Sequence, residues 1–317
     1  MKGKPIMKLK KILSLALVLV LAISCLCGCG AEPTSTPETT PAPDSTPDSV
    51  PEADEGEPAK TYKLVSTAAD ITEILDGLGH GEDIVLADVY SAGAGSVNSE
   101  VCTMDYLNPD VEAIIALSPD CVFVSGSSTD GTVDPYTALS EAGVKVVYVP
   151  TAASIQGIKD NITAIANEVG ASDKAAELNT SIDEAIENAK KSAEGKEPVS
   201  VYFEIGAAPW LYTFGNGTFL DEIITVCGGK NIYSAEQGWI SNTEETVIAA
   251  NPDVIITNVM YDGYDYNEIL SRPGWDVISA VKNSKVYSVD ANATSRGSQN
   301  IVKGIEEISK AIVPDEE

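Results

Sequence analysis

The residue types that most often do chemistry are sparse in this chain of 317 residues. His80 is the only histidine, and it follows Gly77-Leu78-Gly79 at the end of a predicted helix. Glycine-rich helix ends favour a capping or surface role for such a residue. A single histidine without several carboxylate or thiolate partners does not build a first-row metal site. The sequence therefore predicts no metal centre.

The cysteines do not indicate a disulfide framework. Beyond the first thirty residues they are Cys102, Cys121 and Cys227, an odd number. Cys121 opens an apolar run and Cys227 ends an apolar helix before two glycines, so both are predicted to be small buried side chains. The chain also lacks the G-x-S-x-G nucleophile elbow and the phosphate-loop pattern. We therefore expect no enzyme.

A second set of residues suits the binding of an organic ligand. Ligands of α/β proteins bind beyond the carboxyl ends of the strands, where loops meet. Aromatic faces there can stack on a flat macrocycle or a catecholate, and Arg296 can bind a carboxylate with two hydrogen bonds. The alternatives are local packing for each aromatic residue and a solvated loop position for Arg296. The predicted ligand-binding residues are Ser66, Thr67, Tyr90, Ser91 and Tyr106 in the first half, with Trp210, Tyr212, Trp239, Tyr261, Tyr264 and Arg296 in the second half.

Two acidic residues occupy the same place in an internal repeat. Glu112 opens a short helix that ends at Pro119-Asp120 and is followed by an apolar strand. Glu245 opens a second such helix, which ends at Pro252-Asp253 and is again followed by an apolar strand. Each unit is a helix, a Pro-Asp break and a buried strand.

The repeat extends over both halves of the chain. Each half begins with an apolar strand, continues into a helix that ends in glycine, and closes on a second strand. Alternating strands and helices of this length predict parallel sheets with right-handed crossovers. The fold class is therefore α/β, with two Rossmann-like lobes, an N-terminal lobe over 61–171 and a C-terminal lobe over 195–317.

One long helix is predicted between the lobes, over 172–194. Residues 172–193 contain no proline or glycine, and Ser172-Asp173 suits an N-cap. A single helix of this kind limits hinge motion. Its predicted apolar face consists of Ala176, Leu178, Ile182, Ala185, Ile186 and Ala189.

The N-terminus has the layout of a secretory signal, with five lysines before an apolar run from Ile12 to Ile23. The run is too short to span a bilayer comfortably. It ends in Leu26-Cys27-Gly28-Cys29, which resembles the bacterial lipobox. That resemblance implies a signal peptide over 1–28 and a lipid on Cys29; the alternatives are lipidation of Cys25 and an ordinary signal peptide.

Residues 29–60 are rich in Pro, Thr, Ser, Glu and Asp and have little apolar surface to bury, which predicts an extended acidic tether. A tether after a lipidated cysteine would hold a folded domain near the outer face of a membrane. The formal net charge of −28 makes nucleic acid an unsuitable partner. We expect a monomer with no intrinsic cofactor.

The chain resembles the bacterial ABC-importer substrate-binding proteins that have a single linking helix and bind iron-siderophores, haem and cobalamin. The resemblance covers almost all of 62–313 and rests on five elements in order. They are Ala69 to Leu75 with Gly77-Leu78-Gly79, Glu112 to Val124, Val226 to Ile232, Glu245 to Ile256, and Pro273-Gly274-Trp275 through Ala280-Val281-Lys282-Asn283 to Val286-Tyr287. The last element makes Trp275 a packing residue.

The resemblance implies capture of a ferric siderophore, haem or cobalamin-like corrinoid between the lobes and its delivery to an ABC permease with its ATPase. It also implies that Glu112 and Glu245 pair with permease arginines, because carboxylate and guanidinium form directional pairs. The alternative for both glutamates is an ordinary place in the first turn of a helix. The alternative function is an extracytoplasmic sensor that signals to a membrane partner.

Overall fold

Short strands alternate with helices in the computed structural model, which describes residues 61–126, 134–261 and 263–314. The strands are β1 Leu64–Ser66, β2 Ile84–Asp88, β3 Cys102–Met104, β4 Cys121–Ser125, β5 Val146–Val149, β6 Val199–Glu204, β7 Tyr212–Phe214, β8 Gly229–Asn231, β9 Trp239–Ser241, β10 Val254–Thr257 and β11 Val286–Ser288. The helices are α1 Ala69–Gly77, α2 Val111–Ala116, α3 Thr137–Glu141, α4 Ile155–Val169, α5 Ser172–Ala193, α6 Phe219–Val226, α7 Glu244–Ala250, α8 Glu268–Ser271, α9 Ser279–Lys282, α10 Ala291–Ser295 and α11 Ile301–Ile312.

The predicted signal peptide, Cys25, Cys29 and the whole of the predicted tether lie outside the described residues. Among the helices of the described ranges, none is long and apolar enough to cross a membrane.

Two parallel sheets form the framework, as the alternating pattern predicts. The first sheet has the strand order β3-β2-β1-β4-β5, and the second has the order β11-β10-β6-β8. All pairs within both sheets are parallel. A separate antiparallel pair joins β7 to β9. The α/β prediction is confirmed.

The Pro-Asp units join neighbouring strands in both sheets. The Asp120 carboxylate accepts a hydrogen bond from the backbone N–H of Lys63 at 2.9 Å, just before β1. In the second sheet, Asp253 accepts hydrogen bonds from the backbone N–H and the hydroxyl of Ser200 at 3.2 and 2.6 Å. The residue before each proline has a left-handed backbone, with φ of 51° and 48°. The repeat thus fixes the start of one strand against its parallel neighbour.

The long helix starts at Ser172 as predicted and ends at Ala193, one residue before the predicted end, but its N-cap residue and one position of its buried face differ from the prediction. Its N-cap residue is Ala171, which makes no side-chain cap, whereas the Ser172 hydroxyl lies inside the helix and donates to Asn167 at 3.2 Å. The predicted N-cap at Ser172-Asp173 is therefore wrong. Ala175 is buried where Ala176 was expected, and Ala176 is exposed. Ile182, Ala185 and Ala189 are buried as predicted, and Leu178 and Ile186 are partly buried against the core.

One apolar core extends from the first sheet to the second. It runs from Leu64 in β1 through Ile158 in α4, Ile182 in α5 and Ile308 in α11 to Val201 in β6. The helix α5 packs against both α4 and α11. Residues 58–317 accordingly form one compact unit. The division into 61–171, 172–194 and 195–317 stays a prediction.

A buried ion pair anchors the second half of the chain. Glu204 at the end of β6 is fully buried and receives two hydrogen bonds from Arg272, at 2.7 and 2.8 Å. Arg272 also donates to Glu268 at 2.7 Å and lies 4.6 Å from the ring centre of Trp275. Burial alone would lower the pKa of Arg272, but the hydrogen bonds and charge of Glu204 raise it. Trp275 is fully buried, in keeping with its predicted packing role.

We expect Glu204→Ala to lower the free energy of unfolding by about 3 kcal/mol, because it leaves a buried guanidinium without its main partner. Glu268→Ala removes the second partner, whose side chain is 46% exposed, and should cost at most about 1 kcal/mol. Urea denaturation of both variants and of the wild type measures the difference. Equal losses in the two variants would contradict the assignment of Glu204 as the anchor.

Candidate functional site

A cavity of about 390 Å³ opens where the strands of the first sheet end. Thr67 follows β1, Asp88 ends β2, Ser125 ends β4 and Thr151 follows β5, and all four line the cavity. Parallel strands end at one edge of the sheet, so the loops after them converge there. Residues of the second half form the facing wall: Gly217, Thr218, Phe219, Trp239, Ser295, Arg296 and Gly297.

A second cavity, of about 610 Å³, adjoins the first. The two cavities share Tyr90, Trp239, Ser295 and Arg296. The second extends toward the ends of β6 and β10, where Ile205 and Asn258 line it. The shared residues make the two cavities one candidate site, large enough for a cofactor-sized ligand.

Aromatic faces stand on both sides of this site. Tyr90 is 66% exposed, and its ring centre lies 6.4 Å from that of Tyr106 at an interplanar angle of 64°. Across the cavity, Trp239 is 48% exposed and packs edge-on against Phe214, with ring centres 5.8 Å apart. Tyr261 lines the second cavity. A flat ligand can therefore contact aromatic surface from both halves of the chain.

Arg296 lies in the wall that both cavities share, and its guanidinium is held by the first half of the chain. Its Nη1 donates to the Glu73 carboxylate at 2.5 Å, and its Nη2 donates to the backbone oxygen of Tyr90 at 3.0 Å. The Glu73 side chain is only 5% exposed, and it also accepts from Ser298 at 2.5 Å. The Gln299 amide donates to the Glu73 backbone oxygen at 2.7 Å. Arg296 is thus fixed in position and is not a solvated loop residue.

Two of the predicted ligand residues belong instead to a buried hydroxyl network. Ser66 and Ser91 are fully buried, and the Thr72 hydroxyl bridges them at 2.8 and 2.7 Å. Ser91 donates to Asp88 at 2.7 Å. Neither serine lines either cavity. Their hydrogen bonds hold the loop after β2 against α1, beside the cavity.

The second half shows a similar split among the predicted residues. Trp210, which is 84% exposed, lines neither cavity, nor does Tyr212. Tyr264 also lines neither, and its hydroxyl lies 3.4 Å from Glu204. Burial and the nearby Glu204 charge raise the pKa of Tyr264 to about 12. Of the predicted set, Thr67, Tyr90, Tyr106, Trp239, Tyr261 and Arg296 line one or both cavities.

Asp70 was not predicted, although it lies at the start of α1 and lines the first cavity. Burial raises its pKa above the ordinary value of 3.8, and the carboxylates of Glu73 and Asp88 raise it further, against a hydrogen bond from Ile71. The loop 151–153 after β5 was also missed, although the rule on carboxyl ends of strands indicates it. Glu73 carries no sequence signal, because its partner is 223 residues away.

Glu112 and Glu245 are exposed at matching places in the repeat. Glu112 lies in the first turn of α2, just before β4, and Glu245 lies in the first turn of α7, just before β10. The backbone hydrogen bond at Glu245 and the Thr243 side chain lower the pKa of Glu245. Both carboxylates are accessible to a partner.

The histidine and the cysteines lie away from the cavities. His80 Nδ1 is 2.8 Å from Asp83, and its ring packs edge-on against Tyr62. Cys102, Cys121 and Cys227 are unpaired by disulfides and buried. Burial raises the pKa of Cys121 and of Cys227 to about 12. Over the described ranges, no group of three or more histidine, cysteine, aspartate or glutamate residues is arranged to hold a metal ion.

Comparisons of sequence give a consistent result. A family model described as periplasmic binding protein matches residues 64–293. An ABC transporter substrate-binding lipoprotein of Bacillus subtilis, YvrC, is 32% identical over 80% of each chain. A cobalamin-binding protein of Halobacterium salinarum is 27% identical over 64% of this chain and 55% of its own length.

Solved structures resemble the chain over most of its length. A possible iron-binding periplasmic solute-binding protein of Staphylococcus epidermidis is 29% identical, with a TM-score of 0.70 over 80% of this chain and 99% of its own. The haem-binding protein RhuT of Roseiflexus is 21% identical, with a TM-score of 0.69 over 80% of this chain and 98% of its own. At 21% identity, the similarity to RhuT shows the fold alone.

We expect Asp70→Asn to raise the free energy of unfolding at neutral pH. The native carboxyl has a raised pKa, so it binds its proton more tightly than the unfolded chain does, and stability is lost as pH rises from 3.8 through the raised pKa. Asparagine removes that loss while keeping an oxygen acceptor for the Ile71 N–H.

Denaturant unfolding at neutral pH and below pH 3.8 tests this, and the gain should shrink at the acidic end. Asp173→Asn, an exposed change on α5 with the same change in charge, is the control. A gain for Asp70→Asn that does not depend on pH would contradict the prediction.

Proposed function

The chain belongs to the periplasmic binding protein family, and from that premise we propose that it captures an iron-siderophore, haem or cobalamin-like ligand for an ABC importer. The ligand binds in the two adjoining cavities and passes to the permease, which an ATPase drives. No catalytic role is part of this proposal. The relatives compared above are transport and binding proteins, which favours transport over signalling.

The observation that carries the proposal is the shape and lining of the site. The cavities of about 390 and 610 Å³ share one wall and are faced by Tyr90 from one half and Trp239 from the other. Aromatic rings that are partly exposed and packed from behind present flat apolar surface at a low entropic cost. A macrocycle or a catecholate complex has the matching flat faces.

The same site explains which of the predicted residues would touch the ligand. We assign Thr67, Tyr90, Tyr106, Trp239, Tyr261 and Arg296 to the ligand-binding wall, because they line the cavities. Trp210 and Tyr212 are exposed beyond the two cavities, and we assign them no direct contact. Ser66 and Ser91 support the wall through buried hydrogen bonds, and Tyr264 donates to Glu204 away from the cavities.

Glu112 and Glu245 are the proposed permease contacts. Their equivalent places in the repeat put one exposed carboxylate on a helix beside each sheet. Carboxylates pair with guanidinium groups through directional hydrogen bonds, and one pair for each sheet would fix the orientation of the docked protein. The bound permease would then face the same two helices in every transport cycle.

The proposal also includes the anchor. Lipid on Cys29 and an acidic tether over 29–60 would keep the folded unit at the outer face of the cell membrane. The relative from Bacillus subtilis is described as a lipoprotein, which supports this part. The folded unit would act as a monomer at the permease.

We expect the purified protein to bind at least one member of a panel of ferric siderophores, haemin and cobamides, measured by calorimetry and by visible absorbance. Trp239→Ala should weaken that binding about tenfold, because it removes one aromatic wall. Trp210→Ala, an equal truncation at a residue that lines neither cavity, should change affinity less than about twofold. If the wild type bound no member of the panel, the proposed ligand class would be wrong.

Glu112→Arg combined with Glu245→Arg should lower ligand uptake by cells more than about tenfold, because both docking charges are reversed. The affinity of the purified variant should stay within about twofold of wild type, since neither residue lines a cavity. Glu177→Arg with Glu187→Arg, an equal reversal at exposed positions of α5, is the control. Wild-type uptake by the docking variant would exclude this role for the two glutamates.

A further inference from the structure

The charged residues at the first cavity are predominantly acidic. Asp70 and Asp88 line the first cavity, and the carboxylate of Glu73 lies directly behind Arg296. Among the described residues that line either cavity, Arg296 is the single cation. Residues 127–133 and 262, which lie outside the described ranges, contain no lysine or arginine. The local charge balance therefore falls on the acidic side.

The positive charge of Arg296 is already matched within the protein. Its Nη1 is 2.5 Å from the Glu73 carboxylate and its Nη2 is 3.0 Å from a backbone oxygen. The Glu73 side chain is 5% exposed, so water does little to screen this pair. A carboxylate on a ligand would have to compete with a partner that is buried and already in contact.

The other arginine of the chain offers no alternative. Arg272 forms its two hydrogen bonds with buried Glu204 and lines neither cavity. Both arginines of the sequence are thus paired with buried glutamates. Planar, bidentate recognition of an anionic ligand depends on such guanidinium groups, and an anion would have to compete with these glutamates for them.

From this arrangement we infer that the site selects a ligand with no net negative charge, an amide-bearing corrinoid, over haem with its propionates and over anionic ferric catecholates. This inference rests on the proposed function and narrows its ligand class. Amide groups can donate to Asp70, whereas carboxylates and catecholates would meet like charge at Asp70 and at the nearby buried Asp88. The aromatic rings of Tyr90 and Trp239 serve a corrin as well as a porphyrin.

The raised pKa of Asp70 also indicates a negative electrostatic environment at the first cavity. Burial raises the pKa of this carboxyl, and the charges of Glu73 and Asp88 act in the same direction. A group that already experiences repulsion from two neighbours marks a region where a further anion is disfavoured. One unit charge at about 10 Å, with an effective dielectric constant of about 20, changes affinity roughly tenfold.

The experiment compares three probes on the purified full chain: cyanocobalamin, haemin and a ferric tris-catecholate. Calorimetry at low and at high salt gives each dissociation constant. We expect cyanocobalamin to bind at least about tenfold more tightly than either anion at low salt. Added salt should strengthen haemin binding by screening the repulsion, while cyanocobalamin binding changes little.

Asp70→Asn isolates the charge. This nearly isosteric variant should raise the affinity of haemin relative to cyanocobalamin about tenfold, since one cavity charge is removed. Asp173→Asn makes the same change in net charge on exposed α5 and should leave the ratio within about twofold. An unchanged ratio of haemin to cyanocobalamin affinity in Asp70→Asn would overturn the role of the Asp70 charge in selection.

The outcomes separate this inference from the function on which it rests. Tighter binding of haemin or of the ferric catecholate than of cyanocobalamin would overturn the charge selection and leave the proposed capture function standing. Binding of none of the three would overturn the inference, whereas binding of no member of the wider panel would remove the proposed function as well. Cyanocobalamin preference with the expected change in Asp70→Asn would support both.

Discussion

The arrangement of the site depends on one constraint, which is that the buried carboxylate of Glu73 must have a partner. Glu73 lies on α1, close to the start of the folded region, and Arg296 follows α10, close to its end. An unpaired charge at that depth would be strongly unfavourable, so the pair holds the two segments together. The same contact orients Arg296 along the wall that both cavities share. It thereby determines both the shape and the charge of the site.

The apolar core, like this ion pair, holds the two halves of the chain together. It is continuous from β1 to β6 through α4, α5 and α11, and a second polar link joins Glu222 of α6 to the backbone N–H of Ile155 at 2.7 Å. Separation of the two sheets would therefore expose core residues and break buried polar contacts. These features favour a site whose walls are largely in place before the ligand arrives. Such a site loses little free energy to ordering on binding.

The repeat explains how one chain builds two similar sheets. In each half, an aspartate after a proline hydrogen-bonds to the start of the neighbouring strand and sets the parallel register. The same unit begins with a short helix that leaves one glutamate exposed. A structural device and a proposed contact surface are thus parts of a single element. Because each glutamate belongs to the repeated unit, Glu112 and Glu245 occupy matching positions.

The sequence by itself determined the features that depend on local chemistry. Alternating apolar strands and helices, proline breaks and glycine ends predicted the α/β fold and the bounds of α5, and the order of five motifs predicted the family. The signal for Tyr90 and Tyr106 was their place in segments after strands, whereas Trp239, also taken for a loop residue, begins strand β9 and still lines both cavities. Local rules placed two features of α5 one residue too far along the chain. The N-cap is Ala171 and not Ser172, and the buried alanine is Ala175 and not Ala176.

Only the tertiary structure decided which of the loop residues meet. Ser66, Thr67 and Ser91 have the same local signal, and all three are fully buried with hydroxyls that make internal hydrogen bonds, yet Thr67 alone of the three lines a cavity. Glu73 gave no local signal, because its partner Arg296 is distant along the chain, and Asp70 acquires its raised pKa mainly from burial in the fold. The partner of Arg296 could not be deduced from its own segment for the same reason. Residue type and spacing determine what a side chain can do, whereas long-range packing determines which partner it finds and what charge remains for a ligand.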